Sequence, residues 1–412
     1  MSTASIVGGG PAGLIAAEIL ATAGVQVTVF DQMPSVGRKF LMAGHGGLNI
    51  THSEERTAFL GRYGESAPRL APILEAFSPE QLRSWCADLG EETFVGSSRR
   101  VFPQSFRANR LHRAWLSRLS DLGVSIETKH RLLGWAEGEG SPPALTFQRS
   151  DGSERVVSSD VVILALGGGS WPSLGSDGTW TRWFSERGIA VAPLRSANVG
   201  LRVEWTPKFA QTFAGKPVKG VEIAVRGVAG GVRGDAMVTE EGIEGGPIYA
   251  LGAPIRGVLD ADGECWLTLD LRPDLSTEQL IAKLRQRRPK DSSSSWLRRS
   301  VGLDPVSLSL LWEAAGGYPA TAEQAADLIK SVPIVVRETM PMERAISTAG
   351  GVAWAEVDDA LMLNAVPGTF VAGEMLDWEA PTGGYLLQAS FSTGAVAARG
   401  ALTWLARQSD RV

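Results

Sequence analysis

Hydrophobic positions change period within the first thirty residues. "ASIV" is a short apolar run of the kind that forms a buried strand, and it stops at Gly8, Gly9 and Gly10. Apolar residues then recur with helical spacing from about Pro11 to Ala23, and "VQVTVF" returns to a strand pattern that ends at Asp31. Strand, glycine turn, helix, strand and acid stand in the order of a dinucleotide-binding unit. In such a unit Gly8 makes the tight turn, Gly10 lets the backbone approach a pyrophosphate, and Gly13 lets the helix sit close on the strand. The backbone at Pro11, Ala12 and Gly13 opens the helix, so its free N–H groups and dipole favour a diphosphate there. Asp31 is placed to accept hydrogen bonds from ribose hydroxyls, which argues against a 2′-phosphate on that ribose. An ordinary glycine-rich turn is the bland alternative, and the motif leaves open whether the nucleotide is NAD or FAD.

Beyond Asp31 the strand–helix alternation does not simply repeat. "VGRKFLMAGHGGLNITHS" is too rich in glycine and too polar for a core element and reads as a functional loop. "APRLAPILEAF" and "PEQLRSWCADL" have helical period, the second opened by Ser78 with Gln81 three residues on as a capping box and closed by Gly90. A third helix runs from roughly Arg107 to Leu122. "VSIET" reads as a third parallel strand, Leu132 to Val157 as a three-stranded antiparallel meander, and "DVVILALGGG" as a buried strand running into glycines. From about Pro193 the strands shorten, and later segments with helical period start at Ser276, Asp304 and Thr321.

The chain then closes with "GTFVAGEMLDWEAPTGGYLLQASF": an apolar strand, Gly373-Glu374, a loop, and Gly383-Gly384 opening a helix to about Arg407. In a glutathione-reductase-type FAD domain the last strand comes from the far end of the chain and delivers an acid near the ribityl and diphosphate groups. The helix after it turns its N–H groups toward the flavin. That closing segment, with a single nucleotide fold at the start and a meander in place of further βα units, favours FAD over NAD. The expected fold is α/β: a glutathione-reductase-type FAD-binding Rossmann domain with an inserted β-rich domain and a small helical domain. Its boundaries are an FAD domain over 1–192 and 351–412, a β-rich insertion over 193–272 that returns at 333–350, and a helical insertion over 273–332. No second G-x-G-x-x-G follows a strand, so no dedicated NAD(P)H domain is expected.

Composition narrows the function classes. The 412 residues exceed what one hydrophobic core normally serves, and 44% apolar with 21% charged residues is a globular balance. A net charge of -5 gives no electrostatic reason to expect nucleic acid or anionic membrane. Cys86 and Cys265 stand alone, so no disulfide framework or zinc knuckle is supported and a reducing cytoplasm is the expected setting. The first strand begins too early for a signal peptide, and no apolar stretch reads as a membrane span.

Several stretches together resemble a known group: "GGGPAGL", "GRKFLMAGHGGLNITHS", "ALGGGSWPSLGSDG", "AISTAGGV" and "GEMLDWEAPTGGY" are similar to the BaiN-like family of bacterial three-domain flavoproteins, which are NAD(P)/FAD-dependent oxidoreductases. The resemblance covers nearly the whole chain. It implies that Gly8, Gly10, Gly13 and Asp31 hold the ADP half of FAD, that Arg38 and Lys39 approach the nucleotide, and that Gly44 to Asn49 line the flavin. It further implies that Leu132 meets the adenine through its backbone, that Gly167 turns over the diphosphate, and that Gly373, Glu374, Gly383 and Gly384 reach the ribityl chain and ring. The wider family often carries Arg-Cys-Asn where this chain has Gly47-Leu48-Asn49, a departure that bears on any chemistry needing that arginine or cysteine. Members are associated with amine oxidation and with enone reduction.

His45, in the glycine-rich loop, and Tyr385, just after the glycine pair, are the candidate catalytic residues, since a proton carrier beside a flavin can serve hydride transfer. His45 and His52 also admit the plain reading of loop histidines bonded to backbone, which is the stronger one for His52. His112 and His130 have no partner at ligand spacing, and no metal site is expected. Trp171 and Trp378 sit in loops that face the flavin in this fold, although packing is the simpler role for either. "LRQRRPKDSSSSWLRR" gathers six basic residues and reads as a solvated, mobile loop rather than a phosphate or RNA site. The expectation is therefore a cytoplasmic enzyme that binds FAD non-covalently and oxidises or reduces a small organic molecule, with no nucleic-acid or membrane partner. A tRNA-modifying flavoprotein and a non-catalytic flavin sensor are the alternatives.

Overall fold

A computed structural model describes residues 1–44, 46–138 and 140–409. Five strands form a wholly parallel sheet in the order Thr369–Val371, Val161–Leu164, Thr3–Val7, Gln26–Asp31 and Ser125–Thr128. The central strands are largely apolar because both faces are covered, one by helices and the other in part by a β-meander whose Phe147 stacks on Phe30; Ile6, Val29 and Ile163 are fully buried. The first helix, Pro11–Thr22, packs along the last, Tyr385–Ser409. Gly394 permits that approach, since a side chain there would overlap the Ala12 carbonyl. The meander is present as His130–Trp135, Leu145–Arg149 and Glu154–Val157, antiparallel throughout. This is the expected α/β fold of Rossmann type.

The chain divides into two compact units, Met1–Arg195 with Ser347–Val412, and Ser196–Ile346. The second unit holds a six-stranded antiparallel sheet: Leu201–Arg202, Gly242–Gly245, Gly231–Thr239, Pro217–Val225, Cys265–Asp270 and Val332–Val336, in that spatial order. Its four later helices share one core with the sheet, through Leu267 and Leu269 on strands and Leu280, Leu297, Leu311 and Ile329 on helices. Ser276, Asp304 and Thr321 cap helices where the sequence places starts, each side chain accepting the N–H three residues on.

Two segments differ from expectation. The glycine-rich loop contains a short helix, Arg38–Ala43, and buries Phe40, Leu48 and Ile50; those three are spaced too irregularly to show a period. The serine run is a helix start rather than a loop: Ser292 caps Ser293–Val301, and Trp296 and Leu297 bury its inner face. Its basic residues are in part paired, Arg285 with Glu323 at 2.8 Å and Arg299 with Asp291, while Arg287 lies 4.6 Å over the Trp296 ring. Among the described residues no helix is long and apolar enough to cross a membrane.

Replacing Gly394 by Leu is expected to lower stability by about 1–3 kcal/mol or more, the usual cost of overpacking a helix contact. Urea unfolding of the variant measures it, and an unchanged midpoint would show that the two helices can separate freely.

Candidate functional site

The three motif glycines are not equivalent. Gly8 has φ +107°, and a side chain on it would overlap the Ala165 carbonyl; one on Gly13 would overlap the carbonyl of Gly8. Both are demanded by the fold itself. Gly10 has ordinary extended backbone (φ -86°, ψ -178°), and no atom lies within 4 Å of where its Cβ would be. Nothing in the protein requires glycine there. The space in front of it is bounded by the start of a 12-residue helix with no side-chain cap and no acid in its first turn. Free N–H groups, the positive dipole end and room for close approach suit a diphosphate, so the residues present fit the nucleotide.

Asp31 ends the second strand and is used twice by its own loop: Oδ2 accepts the Gly9 N–H and Oδ1 accepts the Met33 N–H, both at 2.8 Å. Burial pushes its carboxyl above the usual range, while the two N–H bonds and Arg38 pull it back. Each oxygen keeps a lone pair for a ribose hydroxyl. Beside it opens a cleft lined by Gly8, Asp31, His130, Leu132, Trp180 and Trp183 among others. Leu132 is the meander position expected at the adenine. Sequence reasoning missed the rim, where Arg131 and Asp177 pair at 3.0 Å; Asp177 lies inside "ALGGGSWPSLGSDG", but a rim contact between a strand and a distant loop has no local signature.

Lys39 and Glu374, 335 positions apart, meet at 2.7 Å. Lys39 Nζ also donates to the buried Ser170 hydroxyl at 2.7 Å, and Glu374 Oε1 accepts the Thr348 N–H at 2.8 Å. The Thr348 hydroxyl in turn accepts the N–H groups of Gly169 and Ser170 at 2.9 and 3.1 Å. Four segments are thereby tied around the glycine turn; Ser170 and Thr348 carry no local sequence signal of this role. Gly167 (φ +75°) faces Ser176, and its carbonyl accepts the Trp180 indole N–H at 2.9 Å. Gly373 (φ +74°) rests on Ala12 and donates its N–H to Thr393 Oγ1 at 2.9 Å.

Arg38 bonds Ser35 Oγ at 3.3 Å, and its buried Nε has no protein partner. Gly44 closes the short helix against Ala108. Asn49 donates to the carbonyls of Thr51 and Val101 at 2.8 and 3.0 Å, leaving its buried Oδ1 without a protein partner. Gly383 and Gly384 both have positive φ, and a side chain on Gly384 would press on the Thr51 backbone.

Of the two candidate catalytic residues, His45 lies outside the described residues. Tyr385 is buried at the first turn of the last helix, and its hydroxyl donates to Glu54 Oε1 at 2.5 Å. Glu54 also takes a two-pronged bond from Arg62 at 3.0 and 2.9 Å. Burial, and after it the Glu54 carboxylate, raise the Tyr385 phenol far above its ordinary value of 10. His52 stacks on the Tyr385 ring with centroids 5.2 Å apart, and both its nitrogens meet backbone, Nε2 at Ser98 O and Nδ1 at the Glu54 N–H. Trp378 is buried, its indole N–H on the Gly373 carbonyl at 2.9 Å. No cluster of potential metal ligands exists among the described residues.

A family model described as the HI0933-like protein Rossmann domain matches residues 2–400. The chain belongs to the HI0933-like family. Among curated relatives, it is 27% identical to a 3-dehydro-bile acid delta(4,6)-reductase of Clostridium scindens, covering 97% of this chain and 99% of that one. A ribosomal RNA dihydrouridine synthase of Haemophilus influenzae is 25% identical over 94% of this chain and 95% of its own. Among solved structures, 3-ketosteroid delta1-dehydrogenase from Sterolibacterium denitrificans aligns with a TM-score of 0.54 at 13% identity, covering 98% of this chain and 100% of that one. The structural match concerns the fold. That alignment extends over both units.

Two predictions follow from the glycines and from a buried histidine. Gly10→Val should leave the apoprotein's unfolding midpoint nearly unchanged but abolish nucleotide binding, whereas Gly13→Ala should destabilise the apoprotein itself; equal destabilisation by both would refute the distinction. His112 is buried with its ring against Gly37, its Nε2 has no partner, and burial lowers its pKa below the ordinary 6.5. The unfolded chain therefore takes up this proton first as pH falls, so stability is full above about pH 6.5 and declines below it. His112→Gln should flatten that slope in chemical unfolding, with a remainder from His52, whose pKa is also lowered.

Proposed function

We infer that this chain is an FAD-dependent oxidoreductase that binds its cofactor non-covalently and acts on a small organic substrate. The observation that carries the cofactor assignment is the open space at Gly10, where neither the backbone conformation nor any neighbouring atom requires a glycine, so the missing side chain leaves room for a ligand. Gly8 to Gly13 would hold the diphosphate, Asp31 the ribose, and the cleft at Leu132 the adenine. Arg38 and Asn49 would offer their unpartnered buried atoms, and the Gly383-Gly384 turn the first N–H groups of the last helix. FAD, when bound, supplies two-electron chemistry that no side chain can.

The chain's own groups define what surrounds that chemistry. Tyr385 keeps its proton through the physiological range, since burial and Glu54 hold its phenol well above 10. It therefore positions rather than titrates. Lys39 and Glu374 neutralise each other beside the glycine turn, so neither adds net charge where a diphosphate would sit. The relative named as a delta(4,6)-reductase of a 3-dehydro-bile acid supports reduction of a carbon–carbon double bond over amine oxidation. The RNA-related relative motivates a second reading, but the pairs Arg285–Glu323 and Arg299–Asp291 already engage part of the basic stretch that would serve it.

The purified protein is expected to be yellow and to release intact FAD into the supernatant on acid precipitation. Recovery of NAD, or flavin that stays with the pellet, would overturn the assignment.

A further inference from the structure

A small antiparallel sheet in the first unit, with Thr51–His52, Arg100–Pro103 and Thr93–Val95 in that order, borders the glycine segments at 47 and 383–384. Residues directly opposite in such a sheet share a face, as do alternate residues along one strand. His52 is opposite Arg100 and Phe94 is opposite Phe102, while Val101 and Pro103 turn inward and are buried. One face therefore presents His52, Arg100, Phe102 and Phe94 in a row. Phe106 joins it, 5.0 Å from Phe94 and 5.6 Å from Phe102 between ring centroids.

Three features set this face apart from ordinary surface. Phe106 is 49% exposed and held at φ +55°, a conformation that costs a bulky residue about 1–3 kcal/mol. Folding alone does not reward placing an aromatic ring there in water. The row also borders both glycine segments assigned to the flavin: a side-chain carbon on Gly47 would lie 3.2 Å from Phe106 and 3.9 Å from Phe102, and one on Gly383 would lie 3.8 Å from Arg100 Nε. Finally, the Arg100 side chain makes no hydrogen bond or ion pair among the described residues. The neighbouring carboxylate, Glu54, is already taken by Arg62 and Tyr385.

We propose that this face is the substrate subsite, and that its ligand is a planar, apolar ring compound bearing a carbonyl oxygen, with the rings on Phe94, Phe102 and Phe106 and the oxygen on the Arg100 guanidinium. The inference rests on the flavin reading above, because the two glycine segments place the face beside the cofactor. It deepens that reading by selecting between substrate classes. An unbalanced guanidinium attracts a carbonyl dipole and repels an ammonium ion, so a ketone is accepted and a protonated amine rejected. Arg100 acts here as a specificity-determining residue, and the phenylalanines supply stacking area.

The test is calorimetric titration of the full-length protein as purified, with 4-androstene-3,17-dione as a flat conjugated ketone, tryptamine as a flat cationic amine and uridine as a nucleoside. FAD content is measured on each sample. The ketone should bind and tryptamine should not. Arg100→Leu should weaken the ketone by about tenfold or more, the loss of one charge-assisted hydrogen bond, Arg100→Lys should recover part of it, and Phe102→Ala should weaken it further, all at unchanged FAD content. Tryptamine or uridine binding more tightly than the ketone would overturn the proposal, as would Arg100→Leu matching the parent protein. Calorimetry reads these outcomes whatever the FAD content, whereas loss of FAD from the parent protein would count against the flavin reading alone.

Discussion

The contact between Lys39 and Glu374 joins the two ends of the chain at the point where the nucleotide turn is built. A partly buried ion pair of this kind contributes little net stability, because desolvation offsets most of the attraction. Its importance is positional. Lys39 follows the first βαβ unit, Glu374 follows the last strand of the sheet, and their bonds to Ser170 and Thr348 bring in the turn after Val161–Leu164 and the strand Ser347–Val352. Everything assigned to the cofactor hangs from these segments, so the site exists only once the C-terminal residues have docked.

That docking is enforced by packing rather than by charge. The last helix lies against the first with glycine at its closest approach, and its other side is held by buried polar groups. Gln388 and Ser392 both donate to the Phe77 carbonyl at 2.8 and 2.7 Å. On the first helix, Glu18 receives the Trp85 indole and Arg118 at 3.1 Å. Buried polar groups satisfied in this way specify one arrangement of helices where apolar contact alone would allow several. The start of the last helix, and with it Gly383, Gly384 and Tyr385, is thereby set against Thr51 and the small antiparallel sheet.

The parallel sheet was legible because its signals are local. Continuous apolar strands, a glycine turn and an acid at fixed spacing are imposed by backbone geometry within thirty residues, and capping residues such as Ser78, Ser276 and Thr321 mark helices by hydrogen bonds that span only three positions. The short helix Arg38–Ala43 and the strands around Arg100 were not legible. They are too brief to show a period, and the partners that stabilise them come from elsewhere in the chain. The serine run was misread for a related reason: its composition suggests solvation, while Trp296 and Leu297, which bury the helix, follow it.

For the site, the division is similar. The sequence by itself determined that a glycine turn of the dinucleotide-binding pattern stands at residues 8–13, that an acid follows at 31, and that a second glycine pair opens the last helix, since each is read from neighbouring residues. Only the tertiary structure decided which glycine the fold itself does not require, because Gly8, Gly10 and Gly13 differ in what lies across from them and Gly8 also in its positive φ. It alone paired Tyr385 with Glu54, 331 positions away. It alone left Arg100 unbalanced beside three phenylalanines, since a charge becomes free or satisfied only through neighbours that folding brings within a few ångströms.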